Sequence, residues 1–144
     1  MDQKIQFFSE DFGFTPKNKG KIRRWLKAVI RSEKKMPWYI NIIFCSDEYL
    51  LDLNRNFLKH DTLTDIITFP FMENDDNISG DIYISIPRVK ENAENFGQDF
   101  EAELQRVMVH GILHLLGYKD KSKIAKAEMT AKEDLYLDLA STIN

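Results

Sequence analysis

The stretch VMVHGILHLLGYKD, residues 107–120, decides how this chain is read. It is an apolar run that sets two of the chain's three histidines, His110 and His114, four residues apart. With about 3.6 residues per helical turn, both imidazoles leave the same face of a helix and can reach one point in space. A divalent metal ion needs that arrangement from its first two ligands. Gly117 is the residue type best able to take the left-handed conformation that ends a helix. A chain reversed there brings Asp120 back under the histidines. The spacing thus predicts a helix stopped at Gly117 and a three-ligand site of His110, His114 and Asp120. A histidine pair alone also occurs where a core imidazole only satisfies a backbone carbonyl, but the glycine and the acid that follow weigh towards metal.

Zinc metalloproteases of the metzincin type space two ligands, a glycine and a third ligand in the same way. The glutamate that follows their first histidine and serves as general base is Gly111 here. A protease reading has the metal scaffold without its proton acceptor.

The remainder of the chain sets the context. Its 144 residues, 43% hydrophobic and 30% charged, fit one domain over 1–144 with a real core. No apolar run approaches the roughly 20 residues of a membrane span, and the acidic opening MDQKIQFFSEDFGF is no signal peptide. The single cysteine, Cys45, lies in the apolar run YINIIFC and reads as core, so a reducing cytoplasm is the expected compartment. The net charge of −3 argues against a general nucleic-acid coat. Its distribution is uneven, however. Between Thr15 and Lys35 there are nine bases, among them Arg23, Arg24, Lys27 and Arg31, against the one acid Glu33. Between Glu73 and Glu103 nine acids face only Arg88 and Lys90. A basic face of this kind suits a polyanion, although it also suits a solvated helix.

Element by element, IQFF reads as a short strand. Thr15 and Pro16 read as N-cap and first residue of a helix whose buried stripe is Ile22, Trp25, Leu26, Val29 and Ile30. WYINIIFC is a strand running into Ser46, the N-cap of a helix with inner residues Tyr49, Leu50, Leu53 and Phe57. DIITFPF and DIYISI are further strands around the acidic turn MENDDNISG, and Pro87 opens a helix that stops at Gly97. Asp99 caps the long helix that carries the histidines, and SKIAKAEMTAKEDLYLDLAS forms a last amphipathic helix. The order predicts a single α+β domain, with a small, mostly four-stranded mixed sheet packed with about five helices and the metal site on a long helix.

The run HGILHLLGYKD resembles the motif His-Gly-x-Leu-His-Leu-x-Gly-Tyr-Asp-His of the bacterial YbeY proteins, metal-dependent endoribonucleases of ribosomal RNA maturation. LNRNFLKHDTLTDIITFP, residues 53–70, and GDIYIS, residues 80–85, resemble two further segments of that family in the same order. The resemblance implies a zinc ion, cleavage of single-stranded RNA near the 3′ end of 16S ribosomal RNA, a part in ribosome quality control, and small-subunit proteins as partners. Two positions depart from the pattern. Asp120 stands where the family has its third histidine, and Leu58 where it has an arginine suited to a phosphate. An aspartate ligand widens the acceptable metals from zinc to manganese or iron. His60 is a rival donor. Arg55 and Lys59 are the nearby bases able to replace the missing charge. Asp65, within a family segment, and Glu103, seven residues before His110, are the candidate general bases. Three other classes stay open: a small metalloprotease, a non-haem iron oxygenase, and a ribosome-associated RNA-binding factor with a structural metal.

Overall fold

The computed structural model describes residues 4–71 and 76–143. Four strands, β1 (Ile5–Ser9), β2 (Met36–Cys45), β3 (Ile66–Pro70) and β4 (Asn77–Ser85), form one mixed sheet in the order β1-β2-β4-β3. β1 and β4 flank β2 in parallel, and β3 closes the edge antiparallel to β4. Five helices complete the domain: α1 (Lys19–Ser32), α2 (Asp47–Phe57), α3 (Ile86–Phe96), α4 (Phe100–Leu115) and α5 (Lys123–Ala140).

Side-chain alternation on the central strands divides the interior. Ile40, Ile42 and Phe44 of β2, with Ile82 and Ile84 of β4, point to the main core. There they meet Trp25, Leu26, Val29 and Ile30 of α1 and the apolar residues of α4. Cys45, Ile67 and Leu50 pack in a smaller core on the other face, beneath α2. Because α4 lies between the sheet and its neighbouring helices, it is buried nearly all round, at Leu104, Val107, Met108, Val109, Ile112 and Leu113. A helix so held presents its last turn at a fixed place.

Ser46 caps α2 by accepting from the Tyr49 amide, and Ser85 caps α3 by accepting from the Arg88 amide. Gly97 ends α3 in the left-handed conformation at φ 66°. Elsewhere the fold corrects the pattern. Helix α1 starts at Lys19, not at Pro16, because Asn18 takes a left-handed conformation at φ 57° and turns the chain just before the helix. Asp99 occupies the N-cap of α4 but makes no side-chain cap bond. Phe57 is 66% exposed, and the buried position one turn earlier is the polar Asn54. The expected acidic turn over 72–80 lies outside the described residues at 72–75, and from Asn77 onward it is strand. Pairing of Asn77 and Ile78 with Met36 and Pro37 extends β4 through a segment whose composition favours a turn.

Candidate metal centre

Helix α4 ends in a paired hydrogen-bond turn. The Gly117 amide donates to the His114 carbonyl at 3.0 Å and the Tyr118 amide to the Leu113 carbonyl at 3.0 Å. Gly117 permits this turn by adopting φ 106°. The reversal carries Asp120 back beside the helix. Its Oδ2 lies 3.3 Å from Nε2 of His110 and 3.3 Å from Nε2 of His114, and the two Nε2 atoms are 3.0 Å apart. Ligands about 2.0–2.2 Å from one tetrahedral ion lie about 3.3–3.6 Å from each other. Three lone-pair donors gathered this closely repel one another unless a cation or proton lies among them. The set of two imidazole nitrogens and a carboxylate oxygen therefore fits a divalent metal ion.

The donors are held from behind by α5. Glu133 is buried, and its Oε2 lies 2.6 Å from Nδ1 of His110. A carboxylate accepts, so His110 carries its proton on Nδ1 and donates it to Glu133, which leaves the Nε2 lone pair available to a metal ion. The other oxygen of Glu133 accepts from Arg106 at 2.7 Å, and Arg106 also reaches Asp134 at 2.6 Å. Burial disfavours the His110 cation, but the bond and charge of Glu133, with Asp120 and Asp65, outweigh it and raise the pKa. Burial, with His110 alongside, lowers that of His114.

A second anchor holds the ligand-bearing loop. Glu33, at the end of α1, accepts hydrogen bonds from Tyr118 at 2.7 Å, from Lys132 at 2.9 Å and from Tyr136. Burial pushes the Glu33 carboxyl up, yet these three donors prevail and hold it below its ordinary range. Sequence reasoning missed Glu33 and Glu133. The second left a usable signal, since Met129, Glu133, Tyr136 and Ala140 form the buried stripe of α5 and an acid on such a stripe calls for a partner.

In front of the donors opens a cavity of about 720 Å³. Its far wall is the α2–β3 loop and β3, including Leu58, His60, Thr62, Thr64 and Thr68. Asn54 organises this loop: its carbonyl accepts from the Leu58 and His60 amides, each at 3.1 Å, and its side-chain amide donates to the Thr62 carbonyl at 2.9 Å. His60 lines the cavity without joining the three converging donors. Among the described residues three protein donors thus converge, and the cavity opens beside them.

The candidate bases separate. Asp65 lines the metal cavity, with its side chain 3.5 Å from the Asn92 amide, and burial raises its pKa although His110 opposes this. Glu103 lies in a smaller adjoining space of about 130 Å³, shared with Asp65, Arg106, His110 and Glu133. Burial first, then the charge of Asp65, raises its pKa also. Gly111 faces the sheet: a Cβ there would lie 2.9 Å from side-chain atoms of Ile66 and of Ile82. A carboxylate side chain there would have to displace Ile66 and Ile82, which pack in the main core, so the position disfavours a protease-type base.

The candidate RNA contacts lie further out. Arg55 is exposed and paired with Asp61, and Lys59, with φ 59°, is exposed; neither lines the cavity. Arg23 donates to the Ile5 carbonyl at 2.8 Å and sits over the Phe7 ring, tying α1 to β1. Arg24 and Arg31 are exposed and Lys27 half-buried on the same helix, outside the cavity lining.

The profile of the endoribonuclease YbeY family matches residues 4–141. The chain belongs to that family. It is 49% identical to the endoribonuclease YbeY of Cytophaga hutchinsonii over 138 residues, covering 96% of each chain. It is 49% identical to that of Flavobacterium psychrophilum over 132 residues, covering 92% and 94%. The solution structure of TM1509 from Thermotoga maritima superposes with a TM-score of 0.65 at 33% identity, over 94% of this chain and 88% of that one. Membership in the YbeY family fits the three motifs that carried the resemblance and the single α+β domain observed. No helix of the described residues is long and apolar enough to cross a membrane.

Proposed function

We propose that the chain, as one domain over 1–144, is a metal-dependent endoribonuclease that hydrolyses phosphodiesters of single-stranded RNA. The observation that carries this is the meeting of His110, His114 and Asp120 at an open cavity in a member of an endoribonuclease family. These three residues hold one ion, zinc by donor type, with manganese or iron admitted by the aspartate. When bound, the ion supplies Lewis-acid charge to a phosphate oxygen and makes water more acidic.

The chain's own groups do the rest. Glu133 fixes the tautomer of His110, and the Glu33 network fixes the loop that brings Asp120 into place. Asp65 is the general base, because it lines the metal cavity while Glu103 stands behind in the smaller space. The basic face of α1, through Arg24, Lys27 and Arg31, with Arg55 and Lys59, draws the RNA backbone in. Exposed Phe57, beside Leu58, offers a ring on which a base can stack. By analogy with the family, the substrate is ribosomal RNA near the 16S 3′ end, in ribosome maturation and quality control with small-subunit proteins. The compartment is the cytoplasm.

The test is elemental analysis of wild type and Asp120→Ala together with cleavage of a single-stranded RNA. Stoichiometric metal and cleavage, both lost in the variant, are expected. Metal retained in both proteins with no cleavage in either would move the reading to a ribosome-binding factor with a structural ion.

A further inference from the structure

A phosphodiester entering the cavity carries negative charge into a space that already holds Asp65 and Asp120. The wall formed by the α2–β3 loop and β3 brings no lysine or arginine to balance it: Leu58, Thr62, Thr64, Ile66, Ile67 and Thr68 are neutral, and His60 is its one imidazole. Among the described residues that line the cavity, the one lysine or arginine is Lys121. It directly follows Asp120, so the turn that fixes the ligand also fixes the origin of its side chain. Of the other cations around the site, Arg106 is engaged by Glu133 and Asp134, Lys132 by Glu33 and Arg55 by Asp61, while the exposed Lys59 and Lys119 do not line the cavity. Among the described residues nothing engages the Lys121 ammonium, which is exposed at the cavity.

We propose that Lys121 is a substrate-binding residue of this centre, its ammonium contacting a non-bridging oxygen of the scissile phosphate. This rests on the reading of the site as RNA-cleaving. A flexible ammonium gives a point charge instead of a planar fork, so it attracts the phosphate while leaving its orientation to the metal and the facing wall. It also provides, from the α4–α5 loop, the charge that Leu58 cannot supply from the α2–β3 loop.

The experiment compares wild type, Lys121→Met, Lys121→Arg and the double variant Lys121→Met with Leu58→Arg. For each protein it measures metal content, cleavage of a single-stranded RNA, and binding of the same RNA by fluorescence anisotropy across salt concentrations. Lys121→Met is expected to keep stoichiometric metal and lose about ten- to a hundredfold in kcat/KM, the scale of one charge-assisted contact. Its log-log salt slope should shrink by about 0.7, the value for one phosphate contact on a single strand. Lys121→Arg should retain most activity, and Leu58→Arg should restore part of what Lys121→Met lost. Wild-type cleavage and an unchanged salt slope in Lys121→Met would overturn the assignment, as would a loss of cleavage accompanied by loss of metal. Should fully metallated wild type cleave no RNA, the endoribonuclease reading itself fails. Binding then still decides the lysine: about tenfold weaker anisotropy binding in Lys121→Met supports the contact, and unchanged binding removes it.

Discussion

The two walls of the cavity are built on opposite principles. On the α4–α5 side, side chains with charge or hydrogen-bonding capacity are buried or half-buried and cross-braced, with His110 on Glu133, Glu133 on Arg106, and Tyr118, Lys132 and Tyr136 on Glu33. On the α2–β3 side, a loop hangs from one buried amide, Asn54, and exposes Leu58, Lys59 and His60 to solvent. A metal site needs donors held within a few tenths of an ångström, and buried braces achieve that. A wall that meets a flexible polynucleotide has no such need. The difference indicates which side tolerates change: loss of a brace should act through the metal, and loss of the loop anchor through the substrate.

Glu133→Ala should produce the largest effect. Metal affinity is expected to fall about ten- to a hundredfold as His110 loses its orienting acceptor. The fold should lose about 2–3 kcal/mol as Arg106 loses its buried partner. Competition with a chelator reads the first and urea unfolding the second. Unchanged metal affinity in a folded variant would break the comparison, since the buried brace would then be dispensable.

Asn54→Ala tests the other wall. Removing the side-chain amide leaves the Thr62 carbonyl without its donor and should cost about 1 kcal/mol. KM for RNA should rise while metal content stays at the wild-type level. A fall in metal content would show that the two walls are one unit.

What the sequence revealed follows the same division. The convergence of the donors was legible because its parts are local: His110, His114, Gly117 and Asp120 span eleven residues, and helical period and turn chemistry place them. The braces were not, because their partners are distant along the chain. His110 meets Glu133 across 23 positions, and Glu33 meets Tyr118 across 85. Asn54 was visible as a residue of the LNRNF segment, but periodicity assigned the inner face to Phe57, and only the packed loop explains why an amide is buried there. At Thr15-Pro16 a valid helix-start signal lost to the left-handed turn at Asn18. At Asn77–Gly80 a polar composition lost to pairing with β2. In both cases tertiary context outweighed a correct local preference.

The smallest predicted effect concerns the cost of the braced wall, and its sign follows from linkage. Glu103 is 6% exposed; burial, with Asp65 next, sets its folded pKa above the ordinary 4.5. In the interval above that value, the folded chain retains a proton that the unfolded chain has released. Stability therefore falls as pH rises through the interval, and at neutral pH the Glu103 carboxyl opposes folding. Glu103→Gln should melt at a higher temperature than wild type at neutral pH, and the gap should close as the medium is acidified below 4.5. The same variant isolates what the carboxyl does for the site, because the amide keeps its size and removes only its charge. A stabilised protein with weakened cleavage and full metal content would mean that the acid behind Asp65 is kept at the expense of the fold, a trade that belongs to active sites. A variant with no gain at neutral pH would mean that Arg106 already neutralises Glu103, and the braced wall would then carry no electrostatic strain for the chemistry to use.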